Sequence, residues 1–559
     1  MTSAPGRATS EQGERALPFP GAVDHGGHVT FALYAPSKRS VHLIGDFNDW
    51  KPDSDPMREV DAGLWSTERE LPRGAFAYQF LIDGDLIICD PYARYVEEDP
   101  GDRPRKAIVK PRQDPYGWQH DTWARPRLQD LLIYEMHIAD FTPQRDFREA
   151  VERLGYVSDL GMNAIELMPV FGIHENKGWG YTPTYLFAPN EDYGTPDELR
   201  WLVDEAHGKG LAVILDMVLA HTGQHHPFNQ MYPYDQSPWY GQSAGGGNEY
   251  GLPQLDYSKA ATRSFVRDVL GYWLKDYHVD GFRFDYVKSI GVTPEGYGLP
   301  TLAWAAREAR KDAYVIGEHL PEDPGLMLMA EMDGAWHVRF SYALKALLCQ
   351  REIGGYTWED FEGCVRTLDP AVEGYGQRPT CMVNYLESHD EERVILEVKQ
   401  AGFDEETARR KSALGATVLF TAVGEPMLYH GQTMGQDTPK NIDHNFIDWG
   451  GLGTPGGSGL HEHYKRLAWL RRERDALRTT NLAIDAVMPD QKSVVYHRWN
   501  EAGDEVVVAG NFSPEDQRLS VPMPSQAKWR EFFSGDEVEL GGTVDINIER
   551  WAAKVFLKA

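Results

Sequence analysis

The feature that most constrains this chain is a strand–helix alternation running through its middle. Leu131-Leu132-Ile133-Tyr134, Asn163-Ala164-Ile165-Glu166-Leu167 and Leu211-Ala212-Val213-Ile214-Leu215-Asp216 are apolar runs of strand length. Between the second and third, Thr195-Pro196-Asp197-Glu198 reads as a capping box with proline in the first helical position. Leu199, Leu202, Val203 and Ala206 then recur at helical spacing. A second helical stripe, from Phe265 and Val266 through Val269, Leu270, Trp273 and Leu274 to Tyr277, leads into the next apolar run at Gly281. Strand–helix units repeated over residues 129–479 predict a closed parallel (β/α)8 barrel rather than an open sheet.

Three further runs end in a carboxylate: Gly281-Phe282-Arg283-Phe284-Asp285, Val315-Ile316-Gly317-Glu318 and Glu387-Ser388-His389-Asp390. Each reads as a barrel strand that delivers an acid at its C-terminal tip, the end where barrel enzymes place their reactive groups. Asp285 and Glu318 are separated by roughly one strand–helix unit, and Glu318 and Asp390 by roughly two. Cleavage of a glycosidic bond passes through an oxocarbenium-like transition state. It needs one carboxylate at the anomeric carbon and one protonated carboxyl at the leaving oxygen. Arg283, two residues before Asp285, shares its strand face and is expected to keep Asp285 ionised. The Asp285 charge is expected in turn to raise the pKa of Glu318. A lone acid at a strand end is most often a cap or a surface charge, and Arg-x-Asp an ordinary ion pair. The joint, ordered occurrence, with Asp216-x-x-x-x-His221 upstream, argues against those plainer readings.

The flanks differ in pattern. Residues 1–25 read as a disordered lead-in, and residues 26–110 as a small antiparallel β-sandwich. Its strands include Val29–Tyr34, Val41–Ile44 and Phe76–Ile82. Trp50, Trp65 and Tyr78 are expected in its core rather than on a sugar platform. Residues 111–128 form a linker, and residues 223–257 a long insertion after the third barrel strand, beside the site. Residues 480–559 read as a C-terminal antiparallel β-sandwich, which makes the whole a multidomain α/β chain. The net charge of −29, from 85 acidic and 56 basic residues, argues against nucleic acid or an anionic membrane as partner. No run approaches the ~18 apolar residues of a membrane helix. The first twenty residues lack the apolar core of a signal peptide, so a cytoplasmic location is expected. Cys89, Cys349, Cys364 and Cys381 have no metal-binding spacing and are expected to be buried free thiols.

The three acid-ending motifs resemble those of the α-amylase superfamily of retaining glycoside hydrolases. Phe31-x-x-Tyr34-Ala35-Pro36, Val41-x-Leu43-x-Gly45-Asp46-Phe47-Asn48-x-Trp50 and Asp90-Pro91-Tyr92-Ala93 resemble the N-terminal glycogen-binding-type domain of isoamylases and branching enzymes. The resemblance implies Asp285 as nucleophile, Glu318 as acid/base, and Asp390 as the third acid that holds sugar hydroxyls. It further implies that His221 and His389 hydrogen-bond the sugar and that Tyr181 stacks on it. Lys288 would be a subsite lysine and Arg393 a pocket arginine. Two positions depart from the family pattern. Ala220 stands where an asparagine, and Gln254 where an aspartate, usually ligates a structural calcium. No required cofactor or metal is therefore expected. The implied activity is retaining hydrolysis of α-1,4-glucosidic bonds in starch, glycogen or maltooligosaccharides. A branching enzyme or other α-glucanotransferase is the alternative. A non-catalytic glycogen-binding protein is the rival from another class, and the intact trio of acids opposes it.

Overall fold

Eight short strands whose residues are all buried pair in parallel and close on themselves as a barrel in the computed structural model, which describes residues 18–97, 105–174, 178–241, 247–376, 378 and 381–559. They are β1 (Ile133–Met136), β2 (Ala164–Leu167), β3 (Ala212–Met217), β4 (Gly281–Phe284), β5 (Tyr314–Gly317), β6 (Gly334–Trp336), β7 (Met382–Asn384) and β8 (Glu425–Tyr429). Side chains alternate between two environments along each strand. Ile133, Ala164, Ala212, Ile214, Ile316, Val383 and Met427 fill the barrel interior as one apolar cluster. Tyr134, Ile165, Val213, Phe282 and Val315 point the other way and join the larger core under the helices. By the same alternation, Glu135, Glu166, Asp216 and Arg283 fall on the interior face, as a polar layer above the apolar one.

The helices follow the sequence pattern. Thr195 caps the helix Pro196–Gly208, with its hydroxyl accepting from the Glu198 N–H at 3.3 Å. In return the Glu198 carboxylate accepts from the Thr195 N–H at 2.7 Å. The second stripe is the helix Ala260–Asp276, which packs Phe265, Val269 and Trp273 inward. Glu387–Asp390 departs from expectation. β7 ends at Asn384, and Asp390 stands on a turn beyond it rather than at a strand tip.

The N-terminal region is two antiparallel sheets packed face to face. One holds Gly21–Asp24, His28–Tyr34, Leu64–Glu70 and Arg58–Asp61; the other is built around Val41–Gly45, Phe76–Ile82 and Lys106–Val109. Gly21–Asp24 lies within the stretch expected to be disordered but pairs with His28–Tyr34. Residues 1–17 of that stretch lie outside the described residues. Trp65 and Tyr78 are in the sandwich core, whereas Trp50 is half-buried against Lys106. The sandwich sits on the barrel through Tyr92, whose ring stacks on Phe187 at 4.6 Å and meets Phe265 edge-on at 5.5 Å. The insertion after β3 folds as the short helix Pro227–Met231 and the turn Tyr234–Gln236, with residues 242–246 outside the described set. It packs on the sandwich through Tyr34 and Trp239.

The C-terminal strands, from Leu482 onward, form one six-stranded antiparallel sheet. Its long pair Gln517–Glu531 and Glu537–Ile548 curls back, so that Leu519, Val521 and Trp529 cover Val495 and Val507. Two packed layers thus come from a single sheet. All four cysteines are buried and free. No helix among the described residues is long and apolar enough to cross a membrane.

Gly281 sets the spacing of β4 and β5. A Cβ there would lie 2.4 Å from the Tyr314 carbonyl oxygen and 2.6 Å from its Cβ. Gly281→Ala is expected to cost about 1–3 kcal/mol by overpacking, measured as a fall in denaturation midpoint. An unchanged midpoint would show that the two strands separate freely.

Candidate active site

β4 turns Arg283 and, two residues on, Asp285 into the mouth of the barrel. The Arg283 side chain has no exposed surface. Its Nη1 donates to both oxygens of Asp216 at 2.8 Å and to Asp285 Oδ1 at 3.0 Å. Its Nη2 lies 3.1 Å from Glu318 Oε1. The guanidinium also stands 4.2 Å over the ring of Trp336. Four neighbouring strands, β3 to β6, thus converge on one cation. The other Glu318 oxygen accepts the Tyr286 N–H at 2.8 Å. Tyr286 reaches that position with φ 49°, a left-handed turn that bends the chain immediately after Asp285.

A second string of hydrogen bonds runs along the opposite wall. Glu135, at the end of β1, accepts from His389 Nδ1 at 2.6 Å and from the His389 backbone N–H at 3.2 Å. His389 Nε2 lies 2.8 Å from the Tyr181 hydroxyl and 3.3 Å from Asp390 Oδ2. The Tyr181 hydroxyl donates to Asp216 Oδ2, which joins the string to Arg283. The Tyr181 and His389 rings stack at 5.1 Å. Lys440 donates to the Asp390 carbonyl at 2.6 Å and lies 3.4 Å from its carboxylate.

These contacts set the charges. Burial disfavours the His389 cation, but Asp390 and Glu135 outweigh it and raise the imidazole pKa well above its ordinary value. Burial would raise Asp390, but His389, then Lys440 and Arg283, hold its carboxyl well below the usual range. Asp285 runs against the sequence expectation. Burial, followed by the Glu318 charge, pushes it well above the usual range, with Arg283 opposing. Asp285 and Glu318 thus share one guanidinium. Glu166, with both oxygens buried and without hydrogen bonds, is also pushed upward by burial.

Six of the residues expected at the site are brought together: Asp285, Glu318, Asp390, Arg283, His389 and Tyr181. His221 stands behind them. Its Nε2 donates to the Tyr181 carbonyl at 2.9 Å, and its Nδ1 accepts from the Asn248 amide at 3.2 Å. Lys288 is exposed on the turn that follows Asp285. Arg393 lies elsewhere than expected. It is buried, with its guanidinium 3.3 Å from Glu387, bonded to the His430 carbonyl and 4.3 Å over Tyr429, so it braces the turn that carries Asp390. Sequence reasoning missed Glu135, Trp336 and Lys440. Glu135 carried a readable signal, an acid directly after the apolar run Leu131–Tyr134; the other two carried none. At the two positions that depart from the calcium pattern, Ala220 offers a methyl group, and the Gln254 amide donates to the Ser289 carbonyl at 2.7 Å.

Comparison with known proteins agrees with this architecture. The family model for the α-amylase catalytic domain matches residues 144–250 and 234–450. Carbohydrate-binding module 48, the isoamylase N-terminal domain, matches residues 20–93, and the α-amylase C-terminal all-beta domain matches residues 484–555. A malto-oligosyltrehalose trehalohydrolase of Saccharolobus solfataricus is 28% identical over 75% of this chain and 76% of its own length. A 1,4-α-glucan branching enzyme of Bacillus cytotoxicus is 26% identical over 95% of this chain and 87% of its own. Among solved structures, a type I pullulanase of Bacillus subtilis complexed with maltose has a TM-score of 0.83 at 20% identity, covering 98% of this chain and 86% of that one.

The charge pairing at His389 has a definite sign with pH. Its folded pKa is raised, so its contribution is complete below the unfolded value near 6.5 and is lost as pH rises through the folded value. The stability gap between wild type and His389→Gln should therefore narrow from pH 6.5 towards pH 9, read from midpoints at each pH. A gap that widens over that range would show that the histidine is neutral in the fold.

Proposed function

This chain belongs to the α-amylase family of enzymes acting on α-glucans, and we propose that it hydrolyses α-1,4-glucosidic bonds in starch, glycogen or maltooligosaccharides with retention of configuration. The observation that carries the retaining mechanism is the sharing of Arg283 by Asp285 and Glu318. Carboxylates bound to adjacent nitrogens of one guanidinium are drawn together, which suits the ~5–5.5 Å separation of retaining enzymes better than the roughly 6.5–9.5 Å of inverting ones. Asp285 is the nucleophile, held by Arg283 along one direction. Glu318 delivers the proton to the leaving oxygen and then takes one from the incoming acceptor. Asp390, fixed by His389 and Lys440, binds the hydroxyls of the sugar being cleaved, and Tyr181 supplies the stacking face. Asp285→Asn should lose at least ~10³-fold in kcat because no covalent intermediate forms, and proton NMR of fresh product should show the α-anomer first. A β-anomer first overturns the assignment.

Hydrolysis and transfer share the glycosyl-enzyme and differ in the acceptor. Access to solvent favours water here: the Asp390 side chain is 38% exposed and Tyr250, at the rim, 67% exposed. The branching-enzyme likeness over 95% of the chain favours the second reading, transfer to a glucan. Incubation with amylose, counting new reducing ends and new α-1,6 bonds together, decides between them. Reducing ends in excess support hydrolysis; a loss of iodine colour with α-1,6 bonds and few reducing ends supports branching. Maltooligosyltrehalose belongs in the same panel, because the S. solfataricus relative is named for it.

We also propose that the usual family calcium is dispensable, because Ala220 has no ligating side chain and the Gln254 amide is committed to Ser289. Added calcium should leave both midpoint and activity unchanged. A rise of several degrees with calcium alone would mean that other oxygens have rebuilt the site.

A further inference from the structure

We propose that Glu322, His337 and Glu373 form a binding site for one divalent cation of the zinc class, behind the loop that carries Glu318. Glu322 lies four residues beyond Glu318, His337 directly follows β6, and Glu373 belongs to the segment before β7. Their side chains are 1%, 0% and 7% exposed. One nitrogen or oxygen from each lies within 4.8 Å of the others.

The orientation of His337 is fixed by its neighbours. The Asn384 amide nitrogen donates to the Val423 carbonyl at 2.7 Å, which turns the Asn384 oxygen towards the ring. That oxygen stands 2.8 Å from His337 Nδ1, so Nδ1 carries a hydrogen and Nε2 is the nitrogen that faces the two glutamates. Nε2 is buried and makes no hydrogen bond. It lies 3.5 Å from Glu373 Oε2 and 3.9 Å from Glu322 Oε2. Ligands bound at about 2.0–2.2 Å around one tetrahedral ion stand roughly 3.3–3.5 Å apart, so a small inward movement closes the set. Glu373 Oε2 and the buried Tyr375 hydroxyl likewise lack hydrogen-bond partners, and the Tyr375 and His337 rings are 6.0 Å apart.

The charge count also leaves room for a cation. Arg339 Nε lies 3.2 Å from each glutamate, so one guanidinium faces two buried carboxylates. An imidazole with two carboxylates suits zinc rather than calcium, and an N–H bond from the second ring nitrogen to an amide oxygen is the support that metal-bound histidines usually have. The ion would tie the loop after Glu318 to the end of β6, where Trp336 packs on Arg283.

The full chain, stripped with a chelator and desalted, is titrated with zinc chloride by calorimetry and followed by thermal midpoint. One equivalent of zinc should bind and raise the midpoint, and equimolar calcium should do neither. His337→Gln and Glu373→Gln should each weaken zinc binding at least tenfold. If either fails to fold, Asn384→Ala, which only frees the ring, should still weaken it measurably. Absence of zinc binding by the wild type overturns the site. So does undiminished binding by the folded variants, which would place zinc elsewhere. So does a doubly protonated His337 at neutral pH by nitrogen NMR in the presence of zinc, which would make the cluster a plain ion pair.

Discussion

Everything at the mouth of this barrel is arranged around one buried positive charge. Taking a guanidinium out of water costs several kcal/mol unless its environment replaces the lost solvation. Arg283 receives that replacement from Asp216, Asp285 and Glu318 at 2.8 to 3.1 Å and from the face of Trp336. Each partner comes from a different strand, so the cation can be satisfied only when β3, β4, β5 and β6 are in register. The dependence is mutual, because the three acids without Arg283 would be a cluster of like charges in a low-dielectric pocket. Fold and site are therefore one electrostatic unit here, and the position of Asp285 relative to Glu318 follows from bonds to a shared partner.

The polar layer extends this logic around the ring. The alternation that gives Ile133, Ala164 and Ile214 to the apolar interior gives Glu135, Glu166 and Asp216 to the level above. Glu135 and Asp216 are spoken for, by His389 and by Arg283 with Tyr181. Glu166 has no hydrogen-bond partner, and burial pushes its carboxyl above the usual range. The net result is a connected string of contacts from Glu135 through His389, Tyr181, Asp216 and Arg283 to Asp285 and Glu318.

Much of this was legible in the chain. An apolar run that ends in an acid is a physical signature, since a strand tip at a barrel mouth gives a carboxylate a rigid mount at the open end. That signature found Asp285 and Glu318 at the ends of their strands, and it was present, though unread, at Glu135. It misplaced Asp390, which reaches the pocket from a turn beyond β7, because the run before it is shared between strand and turn. Arg393 was read as a pocket residue by analogy, whereas its geometry is that of a brace. What stayed illegible depends on tertiary approach. Lys440 lies 50 residues beyond Asp390 in sequence, and nothing local marks it as that acid's partner. β6, at three residues, is too short to have a period. The direction of the Asp285 shift could not be read from an Arg-x-Asp pair alone, because it depends on burial and on how closely Glu318 approaches.

The insertion after β3 connects the flanking sandwich to the chemistry. Its Trp239 meets Tyr34 of the sandwich and stacks on Phe228 at 3.6 Å, while the Tyr232 hydroxyl donates to the Pro36 carbonyl at 2.6 Å. At its other end Asn248 holds His221, which holds the backbone of Tyr181. The neighbouring Glu249 accepts from the Tyr286 hydroxyl, and the Tyr286 N–H binds Glu318. Two paths thus run from one loop to opposite walls of the cleft, one to the stacking tyrosine and one to the acid. The loop is anchored on the sandwich through aromatic contacts as well as by the covalent chain. The N-terminal region thus supports the loop whose other end contacts both walls, and contributes none of the acids.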